Sequence, residues 1–125
     1  MIYEMRRETK VVTLLDDETI TVPAENTITE TTADFDLSNW DSAVILVSLG
    51  TESATAVFNA KLEIKDSNGN YIDHPSGAIT QMDAAGEQAF AIAKIYGETG
   101  RLSYTLTDAE NDAFAHACLE IVLKS

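Results

Sequence analysis

Two neighbouring segments constrain this chain more than anything else in it. Residues 42–50 read S-A-V-I-L-V-S-L-G, a short apolar run rich in β-branched residues that glycine closes. Residues 57–64 then alternate, with Phe58, Ala60, Leu62 and Ile64 on one face and Asn59, Lys61 and Glu63 on the other. A short apolar run beside a period-two run predicts strands, because a helix would repeat its apolar positions every three to four residues. Two strands alone cannot cover their own apolar faces, so the rest of the chain must add sheet around them.

The remainder reads as sheet too. Residues 10–15 and 19–22 predict two short strands around a turn at Asp16-Asp17-Glu18. Pro23 ends the second, since it has no N–H for a ladder. Residues 24–33 are threonine-rich with Ile28 as their apolar anchor, which predicts an exposed edge strand. Phe35, Leu37 and Trp40 anchor the next stretch around a Ser38-Asn39 turn, and Trp40 is placed to cap one end of the core. Residues 51–55 link the two central strands. Asn68-Gly69 predicts a hairpin whose return strand is 71–73, followed by a loop over 74–86. Segments 87–95, 101–107 and 113–123 complete the set, with a polar turn at 108–112. The expectation is an all-β, single-domain antiparallel β-sandwich or jelly roll of about eight strands over residues 10–125, preceded by an N-terminal arm, residues 1–9. A chain of 125 residues has room for one core and not for two.

Charge then narrows the functions. Against 21 acidic residues stand 8 basic ones, a net charge of −13. Such a surface repels phosphates, so neither nucleic acid nor an anionic membrane is expected as a partner. Cys118 is the single cysteine, which forbids an internal disulfide. The first residues carry no apolar signal segment and the longest apolar run, 43–47, is too short to span a bilayer, so synthesis in a cytoplasm is expected.

Candidate chemistry is sparse. His116 and Cys118 are two apart, so a regular strand puts an imidazole and a thiol on one face, together with Phe114. That neighbourhood reads as sheet packing rather than a nucleophile and its base. His74 beside Pro75 reads as a loop residue. The run Asp66-Ser67-Asn68-Gly69-Asn70 has its glycine at position four, where a calcium loop needs it at six, so the hairpin explains it better. Asp34 with Asp36, or Asp108, Glu110 and Asp112, are the remaining carboxylate clusters. No phosphate-binding glycine loop, nucleophile elbow or zinc spacing occurs. The chain is therefore expected not to be an enzyme and to carry no cofactor or metal.

Arg6, Arg7 and Lys10 place three of the 8 basic residues within the first ten positions. Met1, Ile2, Tyr3 and Met5 lie among them. Apolar anchors with local positive charge suit docking on an acidic, partly apolar surface, so Tyr3, Arg6, Arg7 and Lys10 are the expected partner-binding residues.

One pattern resembles a family. F-D-L-S-N-W-D-S-A-V-I-L-V-S-L-G at 35–50, followed by L-E-I-K-D-S-N-G-N-Y-I at 62–72, is similar to small structural proteins of tailed-bacteriophage heads. The likeness covers roughly residues 34–73. Arg101-Leu102-Ser103-Tyr104 departs from the basic R-Y-x-R strand of such proteins. The resemblance implies a capsid decoration, or cement, protein. It would be a homotrimer on the outer surface of a virion, bound to the major capsid protein and stabilising the shell. The threonine-rich edge at 27–32 would then meet a neighbouring subunit. The competing reading is a carbohydrate- or receptor-binding β-sandwich of a phage fibre or tail, which should expose two or three aromatic rings around a groove.

Overall fold

The computed structural model describes residues 8–21, 26–50, 57–79, 81–108 and 113–125. Expectations for the arm, for Pro23, for the linker at 51–55 and for most of the turn at 108–112 fall outside them.

Among the described residues, nine antiparallel strands form two sheets. They are β1 (Thr9–Thr21), β2 (Asn26–Thr31), β3 (Phe35–Asp36), β4 (Ser42–Leu49), β5 (Val57–Lys65), β6 (Tyr71–Ala78), β7 (Gly86–Ile92), β8 (Thr99–Asp108) and β9 (Ala113–Lys124). One sheet has the order β1-β9-β4-β7, and the other β2-β8-β5-β6 with β3 also paired to β8. The all-β antiparallel sandwich expected from the sequence is therefore the fold, with β3 as the additional short strand.

Alternation builds the core. Ala43, Ile45, Val47 and Leu49 of β4 and Ala117, Leu119, Ile121 and Leu123 of β9 turn inward from one sheet. Phe58, Ala60, Leu62 and Ile64 of β5 and Leu102, Tyr104 and Leu106 of β8 face them from the other, in one apolar cluster. Phe58, Leu62, Leu102, Leu106, Leu119, Ile121 and Leu123 are all 0% exposed. Trp40 packs half-buried against this cluster, as a cap should.

The strand edges differ from expectation at β1 and at β6, while the hairpin between β5 and β6 turns at Asn68-Gly69 as expected. Residues 9–21 form one strand, because the long β9 pairs with both halves and bulges absorb the acidic triplet. Asp17 takes a φ of 53° there. The β5–β6 hairpin turns with Gly69 in the left-handed region, φ 86°, its N–H donating to the Asp66 carbonyl at 3.1 Å. The Asp66 carboxylate accepts the N–H groups of Asn70 and Asn68, both at 2.8 Å, and these bonds hold it below the usual carboxylate range. Finally, β6 runs on through His74-Pro75-Ser76-Gly77 as a wide bulge, since Glu63 pairs with Asp73 but Lys61 pairs with Ala78.

Gly77 at that bulge is fixed by packing. A Cβ on it would lie 2.9 Å from the Cβ atoms of both His74 and Leu62. Neither atom is the end of a flexible side chain, so only glycine fits.

Candidate functional site

The expected partner-binding residues are placed only in part. Tyr3, Arg6 and Arg7 lie outside the described residues. Lys10 itself belongs to β1, opposite Leu123. Thr9 pairs with Lys124, and the Glu8 N–H donates to the Ser125 hydroxyl at 2.9 Å. The arm boundary therefore moves: residues 8 and 9 are held by the sheet.

The sandwich presents two unlike outer faces. On the β2-β8-β5-β6 sheet, strand alternation sends Thr27, Thr29 and Thr31 outward, beside Thr105 and Thr107 in register. Thr27 and Thr107 hydroxyls meet at 3.1 Å. The charges on this face answer one another. Arg101 Nε lies 2.9 Å from Glu63 Oε1, and its guanidinium sits 3.4 Å above the Tyr71 ring. Tyr71 donates its hydroxyl to Asp34 at 2.7 Å, and that bond pushes the phenol above its ordinary pKa. Lys65 reaches Asp34 at 3.7 Å and Lys61 reaches Asp73 at 2.9 Å. This face is satisfied internally and wet.

The outer face of the β1-β9-β4-β7 sheet differs. Three ladders align Val11 with Val122, Val122 with Val44, and Val44 with Ala91. One row across the sheet is therefore apolar from edge to edge. The adjacent row adds Leu46 and Ala89, with Glu120 between Thr13 and Leu46. The row on the other side holds Thr9, Lys124 and Ser42. Val11 at one end of the band is 54% exposed. Beside the band, Leu46, Ser48, Glu87, Ala89, Cys118 and Glu120 line an open depression of about 390 Å³.

Of the candidate chemistry, His116 and Cys118 do not pair as imidazole and thiol. His116 has a φ of 57°, which breaks the alternation expected of a regular strand. Its Nδ1 makes a short contact with Asp17 Oδ1, and Cys118 Sγ accepts the Asp17 N–H at 3.4 Å. The trio pins the β1 bulge to β9. Asp34 and Asp36 are likewise separate: the first holds Tyr71, while the second accepts Ser38 N–H and hydroxyl, which lowers its pKa. Among the described residues no group of three or more His, Cys, Asp or Glu is placed to hold a metal ion.

His74, expected in a loop, lies instead within β6. It is 7% exposed, with Nε2 2.8 Å from the Lys94 carbonyl and Nδ1 accepting the Ser76 N–H at 3.0 Å. The accepting Nδ1 fixes the proton on Nε2, which donates to Lys94. Its partner lies 20 positions away, so nothing local distinguishes it from a loop histidine. His74→Ala empties a buried ring site and leaves the part-buried Ser76 N–H and Lys94 C=O without their partner. The expected cost is about 1–3 kcal/mol, read as a lower urea midpoint with unchanged slope. An unshifted midpoint would contradict the lock.

The aromatic rings are dispersed. Tyr104 is buried, Trp40 packs on the core, Tyr71 lies under Arg101, and Tyr96 is 55% exposed. Tyr3 lies outside the described residues. Among those described, Tyr96 is the one aromatic more than half exposed, and its ring packs 5.4 Å from that of His74 with the Lys94 ammonium over it, so no platform of two or three exposed rings forms.

No protein-family model matches the sequence, and no curated protein sequence does. Solved structures do share the fold. Infectious bursal disease virus, Gx strain, matches 96% of the chain at TM-score 0.69 and 12% identity. The VP2 subviral particle of that virus matches 95% at TM-score 0.66, also at 12% identity. In both, this chain spans about a third of the other's length, 32% and 33%. The SPBc2 prophage-derived protein YomS matches end to end, 100% of each chain, at TM-score 0.58 and 13% identity. Tailspike protein 4 of bacteriophage CBA120, in its enzymatically active domain, matches 90% of this chain at TM-score 0.51 and 10% identity. These four are viral and phage proteins, and at these identities the likeness is one of fold.

Proposed function

We propose that the chain is a non-enzymatic structural protein of a virion, a decoration protein that binds the outer surface of a phage capsid. One observation carries the reading: nearly the whole chain superposes on part of a protein that forms a subviral particle, and all of it on a prophage protein of equal extent. The wet, internally paired face suits the side turned to solvent. The outer edge of β2, unpaired among the described residues, suits contact between copies in a trimer.

The major capsid protein is the proposed partner, and the arm, with Tyr3, Arg6 and Arg7, is the proposed contact. The carbohydrate- or receptor-binding alternative draws on the tailspike likeness. It ranks second because a single exposed ring makes a poor sugar platform. Mass spectrometry of gradient-banded virions from the chain's natural source tests the reading. The chain should band with particles at a fixed ratio to capsid protein. Recovery only from the soluble fraction at the top of the gradient would overturn it.

A further inference from the structure

We propose that the outer face of the β1-β9-β4-β7 sheet is a two-fold contact with a second copy of this chain. An apolar row from Val11 to Ala91 on a chain of net charge −13 is a costly surface to leave wet. Its flanks carry opposite charge: Lys124 lies in the row on one side and Glu120 in the row on the other. Those two positions are related by the band between them.

A two-fold axis along the band lays each apolar residue over its own counterpart. It also reverses the strand direction, so Lys124 of one copy comes over Glu120 of the other, twice per contact. The depression next to Glu120 then has an occupant. Glu87 and Glu120 are among the residues that line it, together with Leu46 and Ala89. A lysine stem fits along the apolar wall with its ammonium between the carboxylates. A two-fold axis along the strands would instead set Lys124 near Lys124 and Glu120 near Glu120, which like-charge repulsion disfavours. The contact uses neither the β2 edge nor the arm. It stands whether or not the chain belongs to a virion.

Sedimentation equilibrium from micromolar to millimolar protein tests it. Wild type should double its mass with concentration, whatever its starting state. Glu120→Lys and Lys124→Glu should each weaken that doubling by about tenfold or more, with far-UV spectra and melting unchanged. Mixing the two variants should restore it, because each then meets its complement. Val44→Glu should abolish it. A wild-type mass that stays constant over the whole range overturns the proposal, as does a mixture no better than either variant alone. Self-association indifferent to all three substitutions, with particle binding lost in Val44→Glu, also overturns it and gives the face to the capsid.

Discussion

Phe58→Ala lowers the stability of the sandwich by about 3–5 kcal/mol, a large share of the roughly 5–15 kcal/mol that holds a domain of this size folded. Phe58 is 0% exposed and its ring stacks 6.0 Å from that of Tyr104. Its backbone also bonds Met82 in both directions, at 2.7 and 2.9 Å, so the surrounding chain is tied in place and cannot easily close over a void. The truncation therefore removes transfer energy and leaves a cavity as well. The melting temperature should fall by about 10–20 °C. Val57→Ala, one residue earlier and facing outward, should cost under about 1 kcal/mol. Equal losses at the two positions would contradict the alternation on which the fold rests.

Removing residues 1–7 leaves the sandwich folded and weakens its binding to particles by about 10–100-fold. The cut falls at 7 because Glu8 and Thr9 are held by Ser125 and Lys124. The expected loss follows from two or three apolar or charged contacts of about 1–3 kcal/mol each, partly offset by the cost of ordering the segment. Arg6→Glu with Arg7→Glu should reproduce part of it. Salt should mimic the reversal only partly, since apolar anchors are not screened. The measurement is pelleting of purified protein with washed particles, alongside a thermal melt. Full-strength pelleting by the truncated chain would remove the arm from the contact.

The core was legible in the sequence because its strands are one-sided. Phe58, Leu62 and Ile64 announce a buried face by spacing alone, and so do Leu119, Ile121 and Leu123. What stayed hidden depends on distant partners. Asp16-Asp17-Glu18 has the composition of a turn, yet β9 carries the strand straight through it by bulging. His74-Pro75 reads as a loop until the Lys94 carbonyl supplies a partner. The apolar band is hidden most deeply. Val11 and Val122 each look like an isolated apolar residue on a polar face, while Val44 and Ala91 are lost inside longer apolar runs. Only the registers of three ladders set them side by side. The arm is the opposite case, conspicuous in sequence and without described geometry.

The most direct test of a decoration role is a cryo-electron microscopy reconstruction of the banded particles. The account predicts ordered density for this two-sheet sandwich on the outer surface of the shell, over capsid subunits. Density for it within a tail or fibre, or none anywhere on the particle, would contradict the account.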